Sequence, residues 1–246
     1  MNKNLKSFNI LKGKNCVLTG ATGGIGKEIA IELAEKNCNL FLIGRNEKKL
    51  KLLQKKLKNI NKKIKVIYQK TDLSNSNDLE LTITKIKNEF SPILILINCA
   101  GKFVIKSIQN STIQDLNESF DINFKVPFIL SKEFSTDMIK KKWGRLIFIG
   151  SSSSYLGFSG GSVYSSSKHA ILGLSRSLQS ELKDKNIRVQ CFSPSSTKTE
   201  MAKISVDQDF STFLNPKEVA QLIVYTMCFD KEMIIDEVRM NRITMR

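Results

Sequence analysis

The sequence predicts an α/β protein built on one doubly wound sheet of seven parallel strands, with helices on both faces. Three observations carry that prediction. Seven short apolar runs recur along the 246 residues, most are followed by a stretch with apolar residues at helical spacing, and a glycine cluster stands where the first run meets its helix. Strands that are apolar throughout, instead of alternating, are buried on both faces, which requires helices above and below a parallel sheet.

The first run, 15–19, leads through a glycine-rich turn into a helix marked by Ile25, Ile29, Ala30, Leu33 and Ala34. Strand 40–43 precedes a helix over 47–57, strand 65–69 one over 77–90, and strand 93–97 a helical stretch from Leu116 onward. The second half supplies strand 145–149, a serine-rich segment over 151–167, a helix from Tyr164 to Lys183, strand 188–192, a helix from Pro216 to Cys228 and a last strand at 233–238. The serine-rich segment joins a strand to a helix without any charge run, so it reads as an active-site loop and not as a linker. No boundary divides the chain, and a single domain over 1–246 is expected.

With 41% hydrophobic and 25% charged residues and four prolines, the chain can bury enough apolar surface to fold. No apolar run approaches the roughly 18 to 20 residues that cross a bilayer. Residues 1–14 mix Asn and Lys with scattered apolar residues, unlike a signal peptide, so a cytoplasmic protein without a membrane partner is expected. Cys16, Cys38, Cys99, Cys191 and Cys228 are far apart and odd in number, which suits buried thiols; with His169 the only histidine, no metal site is expected. The net charge of +16 raises the question of nucleic acid. Its lysines are spread over nearly every helix, as in 47–58 and 137–142, and form no stripe interleaved with aromatics, so no nucleic-acid partner is expected.

Thr19-Gly20-Ala21-Thr22-Gly23-Gly24-Ile25-Gly26 falls between the first strand and helix. Glycines let backbone N–H groups approach a pyrophosphate closely, and the helix N-terminus adds partial positive charge, so the loop points to a dinucleotide. The second strand ends Ile43-Gly44-Arg45-Asn46, without the carboxylate that would meet an unmodified ribose 2′-hydroxyl. Arg45 is either a fork for the 2′-phosphate of NADP(H) or one more surface base; NADP(H) is preferred over NAD(H).

Tyr164 and Lys168 are four residues apart at the start of a helix, so they emerge on one face and can act as a pair. A lysine ammonium beside a phenol favours the phenolate, which makes the pair a candidate acid/base. Asn123 within the helical stretch from Leu116 calls for a polar partner, since Asn is a poor mid-helix residue.

Over essentially its whole length the chain resembles the short-chain dehydrogenases/reductases in their single-domain Rossmann form. The resemblance rests on TGATGGIG at 19–26 (the family's TGxxxGxG), Asp72-Leu73, Asn98-Cys99-Ala100-Gly101, Asn123, Ser151, YSSSK at 164–168 (the family's YxxxK), and Pro194 with Thr199. Ser151 stands thirteen residues before Tyr164, the family's usual separation. The resemblance implies a hydride transfer between a nicotinamide and a carbonyl or secondary alcohol. Tyr164 would exchange the proton with the substrate oxygen, Ser151 would hydrogen-bond that oxygen, Lys168 would stabilise the phenolate and hold the ribose hydroxyls, and Asn123 would support a water-linked proton relay. It also implies that Gly20, Thr22, Gly23, Gly24, Ile25 and Gly26 cradle the diphosphate. Asp72 and Leu73 would meet the adenine; Asn98, Ala100 and Gly101 would line the adenosine ribose. Pro194, Thr197 and Thr199 would face the carboxamide and diphosphate, and a homotetramer or homodimer is implied.

The chain departs from the family pattern where Pro194-Ser195 replaces Pro-Gly, where Cys99 replaces an Asn, and where Gly23 stands in place of the basic residue found in many NADP-binding relatives. Residues 234–240 also lack the glycine-rich ending of bacterial 3-oxoacyl-carrier-protein reductases, although Lys142 and Lys185 lie near positions those enzymes use to dock an acidic carrier. Reduction of a small or medium carbonyl is therefore the leading expectation, reduction of a 3-oxoacyl thioester the alternative, and a dinucleotide-sensing regulator the remote one. Residues 201–214, with Ala202, Ile204, Val206, Phe210 and Phe213, are expected to form a partly apolar lid.

Overall fold

The computed structural model describes residues 9–204 and 208–244. Seven strands form one parallel sheet in the order β3-β2-β1-β4-β5-β6-β7. They are β1 (Asn15–Leu18), β2 (Asn39–Gly44), β3 (Val66–Lys70), β4 (Ile95–Asn98), β5 (Gly144–Ile149), β6 (Ile187–Pro194) and β7 (Glu237–Met240). The helices between them are α1 (Gly24–Glu35), α2 (Glu47–Ile60), α3 (Ser76–Phe90), α4 (Ile113–Phe120), α5 (Val126–Lys141), α6 (Ser162–Leu182) and α7 (Pro216–Met227).

The apolar runs in β1 and β2 have the expected cause. Along β1, Cys16 and Leu18 join one buried cluster while Val17 joins a second; along β2, Leu40 and Leu42 belong to the first, Phe41 and Ile43 to the second. Alternate residues of a strand face opposite sides, so both faces of the sheet are core. The first cluster takes in the apolar stripes of α1, α2 and α7, for example Leu33, Leu53 and Ile223. The second takes in those of α3, α5 and α6, for example Ile86, Phe134 and Ile171.

Two expectations are corrected. The stretch expected to be helical from Leu116 begins at Ile113, where Thr112 and Asp115 form a capping box, and it is interrupted by a π-helical turn, Asp121–Lys125, before α5 resumes. The last strand is Glu237–Met240 and not 233–238: Met233 and Ile234 are exposed, and the paired register is Cys191 with Glu237 through Pro194 with Met240.

At the amino edge of the sheet the fully buried Arg145 donates to the carbonyls of Met227 (3.1 Å), Gly144 (2.9 Å) and Phe229 (2.9 Å) and to the Asp230 carboxylate (2.7 Å). Arg188 and the Trp143 indole donate to the same Asp230 oxygen, at 3.1 and 3.0 Å. Burial draws the Arg145 pKa down to about 10 while Asp230 acts against it. This cluster fastens the starts of β5 and β6 to the end of α7, leaving the carboxyl edge for the site. No described helix is long and apolar enough to cross a membrane.

Candidate active site

The strand order reverses between β1 and β4, and in an open α/β sheet the crevice at the carboxyl ends of such a pair receives the ligand. Buried Thr19 closes the bottom of that crevice. Its hydroxyl accepts from the main-chain N–H of Cys99 (3.0 Å) and of Ala100 (3.1 Å), joining the loop after β1 to the loop after β4. Gly20 follows with φ +65°, and a Cβ there would lie 2.7 Å from the Ala100 nitrogen. Only glycine satisfies both the left-handed backbone and the close approach.

The rest of the loop lies where the glycine spacing predicts. A Cβ on Gly26 would collide with the Gly20 carbonyl oxygen, and Gly44 at the end of β2 lies against the Thr22 side chain. Ile25 packs against the core beneath. Helix α1 starts from N-cap Gly23 with no side-chain cap and no acidic residue in its first turn, which leaves its amide groups for another acceptor. Thr199 reaches across to this helix start, its methyl carbon 2.5 Å from where a Gly24 Cβ would be. Among the described residues, both amide atoms of buried Asn98, at the end of β4, and the buried Ser195 hydroxyl, just past β6, find no hydrogen-bond partner. Buried polar groups of this kind are normally satisfied, so these orphans, with the glycine-lined helix start, fit a polar ligand such as a dinucleotide.

Ser195 is not strained by standing where the family has glycine. Left-handed φ values at described non-glycine residues occur only at Asn37, Lys142 and Asn186, and the Ser195 N–H donates to Met240 O at 2.8 Å, extending the β6–β7 pairing. Pro194 is buried, and the Thr197 hydroxyl donates to Ser195 O at 2.9 Å. Asp72, just after β3, is exposed and accepts from the Ser74 N–H and hydroxyl at 3.0 and 2.6 Å, which holds its carboxyl below the usual range. The cap of α3 is Asn75 and not Asp72, and Leu73 is buried.

Around Tyr164 the side chains come from three elements. Lys168 is buried, and its ammonium donates to the carbonyl of Ile149, the last residue of β5, at 2.8 Å and stands 5.7 Å from the centre of the Tyr164 ring. Ser151, two residues beyond Ile149, caps a short 3-10 turn, Ser152–Ser154, that packs on α6; its hydroxyl oxygen accepts from the Ser153 N–H at 3.1 Å. The Tyr164 hydroxyl makes no hydrogen bond to any described residue. Gly101 lies between the clusters, its Cβ position 3.4 Å from Asn123 Oδ1 and 3.8 Å from Lys168 Nζ.

Asn123, in the π turn, has its side chain fully engaged. Oδ1 accepts from Lys102 N (2.8 Å), while Nδ2 faces Lys102 O (2.9 Å), Ser167 Oγ (2.9 Å) and Ser119 Oγ (3.2 Å). Its side chain thus clamps the β4 loop to α4 and α6, and a proton relay would have to use its main chain. Ser119, four residues before Asn123, and Ser167, inside YSSSK, both hold this amide, and neither stands out in the sequence as a site residue. Phe103 was also missed: it meets the Tyr164 ring edge-on at 4.6 Å and Phe158 at 6.3 Å, giving the tyrosine an apolar wall.

Arg45 borders an open hollow of about 600 Å³ with Asn46, Glu47, Lys48 and Lys70. Of its three cations, Lys48 follows Arg45 closely in the sequence, while Lys70 carried no signal because it arrives from β3 by pairing with Gly44. Lys142 and Lys185 precede β5 and β6 at the amino edge, so they do not border this chain's own site. Of the segment expected to form a lid, residues 201–204 are a 3-10 turn with Met201 and Ile204 exposed, while Phe213 is buried; Val206 lies outside the described residues. The five cysteines are free, four of them buried.

Fold and site together define the class, an oxidoreductase on a Rossmann-type sheet. The chain belongs to the short-chain dehydrogenase/reductase family, whose model, described as short chain dehydrogenase, matches residues 14–209. A 3-oxoacyl-acyl-carrier-protein reductase of Buchnera aphidicola is 33% identical over 236 residues, covering 92% of this chain and 94% of that protein. A 3-ketodihydrosphingosine reductase of Mus musculus is 31% identical over 226 residues, 87% of this chain and 68% of that one. Among solved structures, an alcohol dehydrogenase from Thermococcus sibiricus complexed with 5-hydroxy-NADP superposes with TM-score 0.84 at 23% identity, covering 94% and 97% of the two chains. A Sphingobium yanoikuyae short-chain dehydrogenase in complex with NADPH does so with TM-score 0.81 at 24% identity, covering 93% and 87%.

Proposed function

We propose that this chain is an NADP(H)-dependent oxidoreductase acting on a carbonyl or secondary alcohol of a small or medium substrate, with Tyr164 as acid/base. The observation that carries the reading is the buried Lys168 ammonium, tied to Ile149 O and standing beside the Tyr164 ring. One of its three hydrogens is used by that carbonyl, which leaves the others for the phenol and for ribose hydroxyls. A nicotinamide dinucleotide, when bound, supplies or accepts the hydride. Ser151 uses its oxygen toward Ser153 N–H, so its proton is free to donate to the substrate oxygen, where negative charge develops during reduction. Tyr164 then gives that oxygen its proton, and Lys168 stabilises the phenolate left behind. In the oxidative direction the same groups act in reverse.

The dinucleotide would lie on Gly20, Thr22, Gly23, Gly24, Ile25 and Gly26, with Asn98, Ala100 and Gly101 on one side and Pro194, Thr197 and Thr199 on the other. Arg45, Lys48 and Lys70 around one hollow support a 2′-phosphate, since a doubly charged group gains from several cations at once. A second reading, a 3-oxoacyl thioester or similar 3-keto lipid, is favoured by the apolar wall of Phe103 and Phe158 beside Tyr164 and by the names of the Buchnera and mouse relatives. Ile113, Leu116 and Phe128, exposed on α4 and α5, support self-association as a homodimer or homotetramer.

The test is fluorescence titration with NADPH and NADH, followed by turnover on ketones, aldehydes and an acetoacetyl thioester. Tighter NADPH binding and oxidation of NADPH by a simple ketone or aldehyde supports the leading reading. Turnover of the thioester alone selects the second, and binding without turnover on any substrate removes the enzymatic mechanism.

A further inference from the structure

The serine loop has an anchor that the catalytic scheme does not use. Tyr155 ends the 3-10 turn that Ser151 begins, its N–H bonded to Ser152 O at 3.1 Å. From there its hydroxyl donates to Glu237 Oε2 at 2.7 Å, across to the first residue of β7. Glu237 is held in turn by the Arg176 fork from α6, Nε to Oε1 at 2.5 Å and Nη2 to Oε2 at 3.0 Å. Arg239, two residues further along β7, lies over the Tyr155 ring at 4.5 Å. A planar ring, held on one face by a guanidinium and at its tip by a carboxylate that is itself gripped by a second guanidinium, has little freedom to turn. Burial and the carboxylate push the Tyr155 pKa up to about 12, and Arg176 holds Glu237 below the usual carboxylate range.

We propose that Tyr155 and Glu237, braced by Arg176, are positioning residues that fix the turn carrying Ser151 and thereby the aim of its hydroxyl at the substrate oxygen. The turn is only three residues long: the chain entering it is tied to β6 by Gly150 N–H to Phe192 O at 2.7 Å, the Ser151 hydroxyl proton is left for substrate, and the far end is fastened to the edge strand through Tyr155. Loosening that end lets the Ser151 oxygen wander, and hydrogen bonds to a developing oxyanion lose their value when misplaced by a fraction of an ångström. It also gives β7 a purpose in the reaction: its two charged residues both act on Tyr155.

This inference rests on the proposed role of Ser151, so the test separates the two. Tyr155→Phe keeps the ring under Arg239 and removes only the hydroxyl. Expected are a fall in kcat of roughly ten- to a hundredfold, an unchanged Kd for NADPH, and faster hydrogen exchange of the amides at 152–156. On a Ser151→Ala background the same substitution should change kcat by less than about twofold, because the group it aims is gone. Glu237→Gln, which keeps an acceptor for the phenol, should recover most of the rate lost in Glu237→Ala. Equal losses in kcat with and without Ser151, or wild-type exchange at 152–156, would overturn the positioning role. Full turnover by Ser151→Ala would instead defeat the proposed role of Ser151, while the exchange experiment would still report whether Tyr155 and Glu237 hold the turn.

Discussion

Replacing Asn123 by alanine should destabilise this protein more than any other exchange of one polar side chain near the site. The amide holds four partners, two of them the main-chain N–H and C=O of Lys102. Alanine leaves both, together with the buried Ser167 and Ser119 hydroxyls, to find new partners in a space only an amide wide. Ser167 retains its bond to Tyr164 O at 2.7 Å, so the losses fall mainly on Lys102. An orphaned buried polar group costs about 1 to 3 kcal/mol; for these partly accessible groups the lower half of that range applies, giving roughly 2 to 4 kcal/mol in all. With a urea m-value of about 2 to 3 kcal/mol/M, the midpoint should move down by roughly 1 M. The fluorescence of Trp143, the single tryptophan, follows the transition. Asn123→Asp should be nearly as harmful, because a carboxylate oxygen would face Lys102 O in place of a donor. A midpoint within about 0.2 M of wild type for Asn123→Ala would refute the view that this side chain clamps the loop to the helices.

Gly20→Ala combines a left-handed φ with a Cβ about 0.7 Å inside ordinary contact with Ala100 N, so the loops after β1 and β4 must part; NADPH affinity measured by titration should fall by more than about tenfold, and a loss under twofold would contradict the proposed fit. Arg45→Ala should weaken NADPH binding by roughly tenfold while leaving NADH within about twofold; equal losses for both cofactors would remove Arg45 from the 2′-phosphate. At high pH, the raised Tyr155 pKa means its contribution to stability is complete below the free tyrosine value and is lost as pH rises toward about 12. Unfolding midpoints between about pH 9.5 and 11.5 should therefore fall more steeply in wild type than in Tyr155→Phe, and parallel curves would count against the Tyr155–Glu237 bond.

Much of the fold was legible because burial on both sheet faces makes strand interiors apolar, as in β1, β2, β4 and residues 146–149 of β5; the polar exceptions Arg145, Arg188 and Gln190 make hydrogen bonds where they are buried. Legibility failed at β7, an edge strand whose Glu237 and Arg239 are satisfied by Tyr155 and Arg176, so apolarity did not mark it. The run Met233 to Ile235 carried the apolar signal instead, with its first two residues exposed. The π turn was invisible because one extra residue in a helix barely disturbs its apolar spacing, yet the start of α4 was available in Thr112 and Asp115, a capping-box pair. Motif residues are legible when chemistry fixes their spacing, as for Tyr164 and Lys168. Ser119 was not, because a serine one helical turn before Asn123 carries no signal of its own, and Ser167, Phe103 and Lys70 were not, because only the tertiary fold brings them to Asn123, to Tyr164 and to the Arg45 hollow.

In the proposed mechanism Tyr164 carries the proton while the rest of the site binds cofactor, and Tyr164→Phe isolates the proton transfer. The ring stays against Phe103 and only the hydroxyl is lost. Single-turnover NADPH oxidation with a good ketone substrate should slow by at least about a thousandfold, with NADPH affinity within about twofold of wild type. Near-normal turnover in this variant would contradict the assignment of Tyr164 as acid/base.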